Sequence, residues 1–550
     1  MKIITGKVLA VVLGILIALE LFLLLGHSIL FSDAPAEFRD LSVVKITQEI
    51  ANGHNPYSVD NFFEKDTPEP YLDSGFIHVL PAAGLSRLTG LPAHYSLNIL
   101  NVVYYILAFI LIYLCCKALT KSKVWSMFAV FLQFFFMYRN SIAVIRPDSL
   151  CAVLLLLIIY IELQKPSESH SSFTEILITH QDWIIAVCCV ILAHLKPHYA
   201  VIVLPCLYIA YRRKCFKKLF AKGIVLAVVS YAIIYITCPI YFNEFVMRVL
   251  ESFLRSARSG TERSINKWMQ LLSGFAPIFI VAIIVSVLTV IYLRKKRGYS
   301  VKKILKKIFT PTDDYGVSFL VINIVVNSVT LCFMGKHGGA GLWYHYYMLM
   351  PSLVLFTFYL TNYLLKDGLA IQYLVCIIML LSTVSIVYFG NVNNLKQYLS
   401  RDYYDKVRAS IEKESSIISH YEKGNVLLTA PVSWYAINHN IYNYEYGDDL
   451  ECIPTVRTRG PLVYMLPYLD RCIDKRRENG ATVISNILNR KYEIVATTDG
   501  LQHMDLFDTQ KEFDTALEAN YMPIETIDVY TAYEMPNSCT FWIPKSNSAD

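Results

Sequence analysis

Residues Val8 to Phe31 read VLAVVLGILIALELFLLLGHSILF, an apolar run broken by one carboxylate, Glu20. About 20 apolar residues in a helix cross roughly 30 Å of hydrocarbon, so this run is long enough to span a bilayer. It outlasts the core of a signal peptide and no small-residue cleavage site follows it, so it is expected to stay as an anchor. Further runs of this kind lie at 98–118, 123–138, 142–163, 182–195, 198–212, 223–241, 272–293, 316–334, 346–366 and 370–389. With the first they make about eleven spans. Pro147 and Pro197 interrupt the runs near 142–163 and 182–212.

Composition agrees with that reading. The 550 residues are 55% hydrophobic and 17% charged, with a mean hydropathy of +0.42. A soluble domain is about 45–50% apolar and about 25% charged. A soluble cytosolic enzyme, a disordered chain and a disulfide-rich secreted scaffold are thereby excluded. The 13 cysteines lie mostly in apolar runs, without a CxxC pair or a Cys/His zinc spacing, and read as small buried hydrophobes. A net charge of +6 on this length makes no case for nucleic acid.

Lys and Arg in short loops mark the cytoplasmic side. With Lys2 and Lys7 inside, the cytoplasmic loops hold Lys117, Lys121 and Lys123, then Arg212, Arg213, Lys214, Lys217, Lys218 and Lys222, then Arg294 to Arg297 and Lys302, Lys303, Lys306 and Lys307. The loop at 164–181 carries little charge and votes neither way. Everything after Gly390 then falls outside. The expectation is a mainly α, polytopic helical protein of the cell (plasma or inner) membrane, residues 1–390, with its N-terminus cytoplasmic. A C-terminal extracytoplasmic α/β domain follows at 391–550. There, strand-like runs at Asn425–Leu428, Lys491–Ala496, Ile524–Tyr530 and Thr540–Ile543 alternate with charged helical stretches. Residues 32–97 form a long first outer loop, and 242–271 a second with the pattern of an amphipathic helix. No internal repeat suggests an inverted-repeat transporter.

Four outer segments carry polar groups that a bilayer protein rarely keeps without a use. In Arg146-Pro147-Asp148-Ser149 the acid either caps a helix start and clamps Arg146, or shapes a polar cavity in which Arg146 holds a phosphate. Lys196, in Leu195-Lys196-Pro197-His198-Tyr199, either snorkels to the interface or joins Arg146 in an anion site. His337 and His345 flank a glycine-rich turn before the aromatic Trp343, Tyr344, Tyr346 and Tyr347, and read equally as belt histidines or substrate contacts. The first loop opens Ser32-Asp33-Ala34-Pro35-Ala36-Glu37-Phe38-Arg39-Asp40, a solvated cap or an acidic cluster able to supply a base. In the C-terminal region, Trp434-Tyr435-Ala436 and Asn443-Tyr444-Glu445-Tyr446 read as sugar-stacking aromatics or as parts of strands.

Ala36-Glu37-Phe38-Arg39-Asp40 followed by Gly53-His54-Asn55-Pro56-Tyr57 resembles the first-loop signature of polyprenyl-phosphate-sugar-dependent glycosyltransferases of the GT-C superfamily, the bacterial glycosyltransferase-39-like proteins among them. Arg146 to Leu150, Leu195-Lys196-Pro197 and Trp343 to Tyr347 fall in that family's order. The resemblance covers about residues 8–390. It implies a first-loop catalytic carboxylate, Asp40 or Glu37, and a second acid, Asp148, assisting or binding a metal if one is used. It further implies Arg146 and Lys196 on the donor phosphate, with Arg39, Tyr57, His198, His337 and His345 near the substrate. The activity implied is inverting transfer of a hexosyl or pentosyl unit from a polyprenyl-phosphate-linked donor to a glycan, lipid or protein acceptor outside the membrane. No tightly bound metal or other cofactor is expected, a carboxylate-bound divalent cation being the alternative. The competing readings are a lipid-linked-sugar flippase or transporter and a non-catalytic scaffold.

Overall fold

The computed structural model describes residues 2–30, 40–60, 76–141, 147–164, 172–242, 280, 282–295, 298–309, 315–334, 348–364, 401–421, 425–428, 444–446, 468–498, 510–530 and 537–546. The apolar runs become helices, since a backbone in hydrocarbon must satisfy its own hydrogen bonds. In chain order these are α1 (Lys2–Leu30), α2 (Asp40–Ala51), α3 (Val79–Thr89), α4 (Ala93–Thr120), α5 (Lys123–Ser141), α6 (Asp148–Leu163), α7 (Ser172–Thr179) and α8 (Gln181–Leu195). A 3₁₀ turn, Pro197–Ile202, leads into α9 (Val203–Arg212), then come α10 (Phe216–Thr237), α11 (Val301–Phe309), α12 (Tyr315–Met334) and α13 (Met350–Leu364). A further helical stretch covers 282–295. The expected span at 370–389 and the amphipathic stretch at 242–271 fall outside the described residues, apart from 242 itself.

Three of the described helices are long and apolar enough to cross a membrane: Val8–Gly26, Ala93–Thr120 and Phe216–Thr237. Gln181–Leu195, Tyr199–Arg212 and Tyr315–Thr330 are apolar but shorter. Several helix starts moved: α1 begins at Lys2 rather than 8, and α4 at Ala93 rather than 98. The run expected from 223 starts at Phe216, because Lys217, Lys218 and Lys222 interrupt the apolar window yet are good helix formers whose long stems suit an interface.

The bundle is oily outside as well as inside. Its core joins Leu13 and Leu24 of α1, Tyr105 and Ile112 of α4, Phe128 and Leu132 of α5, and Leu156 and Ile159 of α6 to Leu192, Ile209, Phe319 and Phe358. Val225, Val228, Ile233 and Ile236 of α10, and Val11, Ile15 and Phe22 of α1, point outward uncovered. Patches of this extent would aggregate a soluble protein, whereas lipid tails solvate them.

At one end of the bundle Arg213 Nη1 meets Glu162 Oε2 at 2.9 Å and Lys222 Nζ meets Asp182 Oδ2 at 3.6 Å. The Arg213 guanidinium also lies 5.0 Å from the ring centre of Tyr315, at the start of α12. There Gly316 lets α12 touch α6: a Cβ built on it stands 2.7 Å from Leu163 Cδ2 and 2.9 Å from Leu163 Cα. Because the second obstacle is backbone, Gly316→Ala is expected to destabilise the protein by about 1–3 kcal/mol, read as a lower Tm in detergent. An unchanged Tm would show that this contact gives way freely.

Residues 401–546 hold α14 (Arg401–Ile418), β1 (Val426–Leu428), β2 (Tyr444–Tyr446), α15 (Leu469–Leu488), β3 (Ile494–Thr498), α16 (Gln510–Asn520), β4 (Tyr521–Val529) and β5 (Asn537–Pro544). The sheet order is β2-β1-β3-β5-β4, with β1 parallel to β2 and β3, and β5 antiparallel to β3 and β4. The strand runs read from sequence match β1, β3, β4 and β5. Tyr444–Tyr446 forms the edge strand β2. Both sheet faces are covered, which explains the unbroken apolar runs in β1 and β3. Leu427, Val495 and Tyr521 face Val483 and Ile487 of α15 and Phe513 and Leu517 of α16. On the opposite face, Val426, Leu428, Ile494, Ala496, Ile527 and Phe541 belong to one continuous apolar cluster with Val43 and Ile46 of α2, Val79 of α3, Leu97 of α4 and Tyr241. The segment between α1 and α4 and the C-terminal sheet therefore share a core.

Candidate functional site

Asp148 is the first residue of α6 and follows Pro147, whose φ of −70° and ψ of −1° lead directly into the helix. The first turn closes with the Cys151 amide donating to Pro147 O at 2.8 Å. A carboxylate in this position is favoured by the exposed amides and dipole of the helix start. It is also only 1% exposed, and a buried charge needs a partner.

That partner comes from the end of α8. Lys196 is extended, with φ −149° and ψ 112°, as expected of a residue before proline, and its amide still donates to Leu192 O. Its Nζ donates to Asp148 Oδ1 at 2.6 Å, a short charge-assisted bond. The lysine side chain is 14% exposed. Asp148 Oδ2 and Ser149 Oγ are buried and accept or donate no hydrogen bond among the described residues. The two breaks punctuated by Pro147 and Pro197 thus form one polar site, at the opposite end of the bundle from Glu162 and Arg213. Of the expected site residues, Arg146, Glu37, Arg39, His337 and His345 lie outside the described residues. Asp40 opens α2 and His198 sits in the 3₁₀ turn beside Lys196; the side chains of both are outside the described set.

The Gly53-His54-Asn55-Pro56-Tyr57 stretch is described in full, and its geometry is that of a clamp. Gly53 ends α2 at φ +90°, where a Cβ would be strained, and its amide donates to Ile50 O. Asn55 then works both ways. Its Oδ1 accepts from the Tyr57 amide at 3.1 Å, closing a local turn, while its Nδ2 donates to Thr237 O at 2.6 Å, at the C-terminal end of α10. The Ile240 amide completes the link to Tyr57 O. Tyr57 is 2% exposed, edge-on to Tyr241 with ring centres 5.5 Å apart, inside the apolar cluster shared with the sheet. The structure gives Tyr57 this packed position. Asn55, quoted in the first-loop motif without a role of its own, builds this clamp; the signal available for it was an Asn-Pro turn directly after a helix-ending glycine.

The clamp fixes α2, and with it the backbone position of Asp40. Val43, Val44 and Ile46 hold α2 to its neighbours α3 and α4. The Phe76–His78 turn, still within the first loop, packs on α8, the helix that ends at Lys196. So the loop bearing the acidic cluster and the Asp148–Lys196 pair are braced through shared elements.

Between α8, α9 and α10 lies an apolar cavity of about 230 Å³, lined by Ile185, Cys189, Ala193, Leu207, Phe220 and Tyr231 among others. His194 Nε2 and Ser230 Oγ are 2.9 Å apart, and the His194 ring lies 4.4 Å from that of Tyr231. Ala193 stands one helical turn, about 5 Å along the axis, from Lys196. Among the described residues no three His, Cys, Asp or Glu side chains converge on a metal position, and Asp148 offers a cation one oxygen beside an ammonium.

No family model and no curated protein matches the chain. Solved structures with a related course include ArnT from Cupriavidus metallidurans bound to undecaprenyl phosphate, at 11% identity and a TM-score of 0.48 over 96% of this chain and 97% of that one. The Archaeoglobus fulgidus oligosaccharyltransferase aligns in its complex with zinc and sulfate at 10% identity and a TM-score of 0.47, over 94% of this chain and 72% of that one. Its apo form aligns at 9% and 0.48, over 98% and 75%. Likeness at this level assigns neither family nor chemistry, and the function has to rest on the residues.

Proposed function

We propose that this chain is a membrane glycosyltransferase that moves a single sugar from a polyprenyl-phosphate-linked donor to an acceptor on the outer face, with inversion at the anomeric carbon. The observation that carries the reading is the buried Asp148–Lys196 pair, set at one end of an apolar bundle that also holds an apolar cavity between α8, α9 and α10. A donor of this class has the matching two-part chemistry: an apolar chain for the cavity and an anionic phosphate for the ammonium. In this reading Asp148 is a positioning residue. It takes one of the three ammonium protons and orients the rest of the lysine head.

Chemically, a first-loop carboxylate, Asp40 or Glu37, accepts the proton of an acceptor hydroxyl or amine. The acceptor atom attacks the anomeric carbon as the bond from that carbon to the phosphate oxygen breaks, and both electrons of that bond leave with the phosphate. Charge grows on the leaving group, so fixed cations, Lys196 and Arg146, hold the transition state more tightly than the ground state. One such donor is typically worth about 3–4 kcal/mol. None of these steps calls on a metal.

Binding can be tested apart from turnover. Titrated into the purified chain, a polyprenyl phosphate is expected to bind at least about tenfold more tightly than the matching uncharged polyprenol, as expected for a charge-assisted contact to the phosphate. Lys196→Gln is expected to erase that difference. Equal binding of the two lipids by the wild type would remove phosphate recognition from the site and with it the reading.

A further inference from the structure

The basic end of the bundle carries a second feature that transfer chemistry does not use. The helical stretch 282–295 finishes with Arg294 and Lys295, both exposed. Gly298 turns the chain at φ +63°, and α11 begins. Ser300 caps it: the Ser300 Oγ accepts from the Lys303 amide at 3.2 Å, and Ser300 O accepts from the Ile304 amide. In α11, VKKILKKIF, a turn of about 100° per residue puts Val301, Ile304, Leu305, Ile308 and Phe309 on one arc and Lys302, Lys303, Lys306 and Lys307 on the opposite one.

Among the described residues of the apolar arc, tertiary packing covers only Ile304. Ile304 is buried and α11 contacts α12, but Val301 remains 47% and Leu305 49% exposed. Lys302 and Lys303 are exposed, with the Lys303 ammonium 4.5 Å from the ring centre of Tyr299. A nine-residue helix is marginal by itself in water, so its two faces call for two different surroundings. Its place is set by α12, whose start lies against Leu163 and Arg213 at the end of the bundle remote from Asp148 and Lys196.

We propose that α11, with Arg294 and Lys295, is a binding site for anionic phospholipid in the leaflet at this end of the bundle. The helix lies in the interfacial plane, with Val301 and Leu305 among the upper acyl carbons and the lysines against lipid phosphates. Charge complementarity and the uncovered apolar residues select this occupant. A soluble acidic partner would satisfy the lysines and leave Val301 and Leu305 in water.

The test titrates the purified full chain in neutral detergent with phosphatidylglycerol or phosphatidylcholine and counts retained lipid by native mass spectrometry. Phosphatidylglycerol is expected to be held at least about tenfold more tightly, with the preference shrinking as salt rises. Lys302→Gln/Lys303→Gln/Lys306→Gln/Lys307→Gln should abolish the preference without lowering the Tm in phosphatidylcholine. Val301→Gln/Leu305→Gln should weaken retention of both lipids while keeping the preference. An unchanged preference in the lysine variant overturns the proposal. So does full competition by inorganic phosphate, which would make the site one for a free anion. Polyprenyl phosphate binding is measured on the same variants and is expected to be unchanged, so the two sites fail or stand separately.

Discussion

Lys196→Met is expected to cost the protein both its activity and a large part of its stability. The lysine bonds a carboxylate that is 1% exposed, and removing one partner of such a pair typically costs about 3–5 kcal/mol, because the other charge stays buried and uncompensated. If Lys196 also holds the donor phosphate, initial transfer rates fall by about 10²–10³-fold, the usual effect of deleting one transition-state donor. The double variant Asp148→Asn/Lys196→Met separates the two effects. With both charges gone, the Tm should return most of the way toward wild type while the rate stays low. Recovery of rate along with Tm would make the pair purely structural.

Asp40→Asn is expected to act on rate alone. Loss of a general base typically costs about 10²–10⁴-fold. Asp40 is the first residue of α2, and asparagine starts helices about as well as aspartate, so the fold and Tm should hold. The clamp built by Asn55 and the buried Val43, Val44 and Ile46 keeps α2 in place in either case. Glu37→Gln, measured beside it, decides between the two acids. The one whose variant loses the larger factor at unchanged Tm is the base. Full activity in both variants would move the base out of the first loop.

Much of this architecture could be read before any coordinates. Apolar runs near 20 residues gave helix positions to within a turn at most places, because in hydrocarbon the backbone has few alternatives. β1, β3, β4 and β5 of the C-terminal sheet were legible as strand-like runs, while Tyr444–Tyr446 stayed open between a strand and sugar-stacking aromatics. What stayed hidden was pairing across long sequence separations. Asp148 and Lys196 were each visible as unusual residues after and before a proline-marked break, and placed on the same side. Nothing local encoded the bond between them. The same holds for Glu162 and Arg213, and for the cluster joining Val43 to Phe541, which makes the first loop and the sheet one core. The packing of Tyr57 against Tyr241 and the Asn55 bond to α10 are likewise long-range contacts that no periodicity announces.

The most direct test of the central claim is transfer itself. Purified wild-type protein in detergent would be given radiolabelled polyprenyl-phosphate sugars together with an extract of membrane lipids and glycans, and label would be followed from donor to acceptor. The account predicts that label leaves at least one such donor for an acceptor, with the opposite anomeric configuration in the product and free polyprenyl phosphate released in equal amount. Folded protein that moves no label from any donor, yet carries lipid-linked sugar across the bilayer of proteoliposomes, would contradict it and make the chain a flippase.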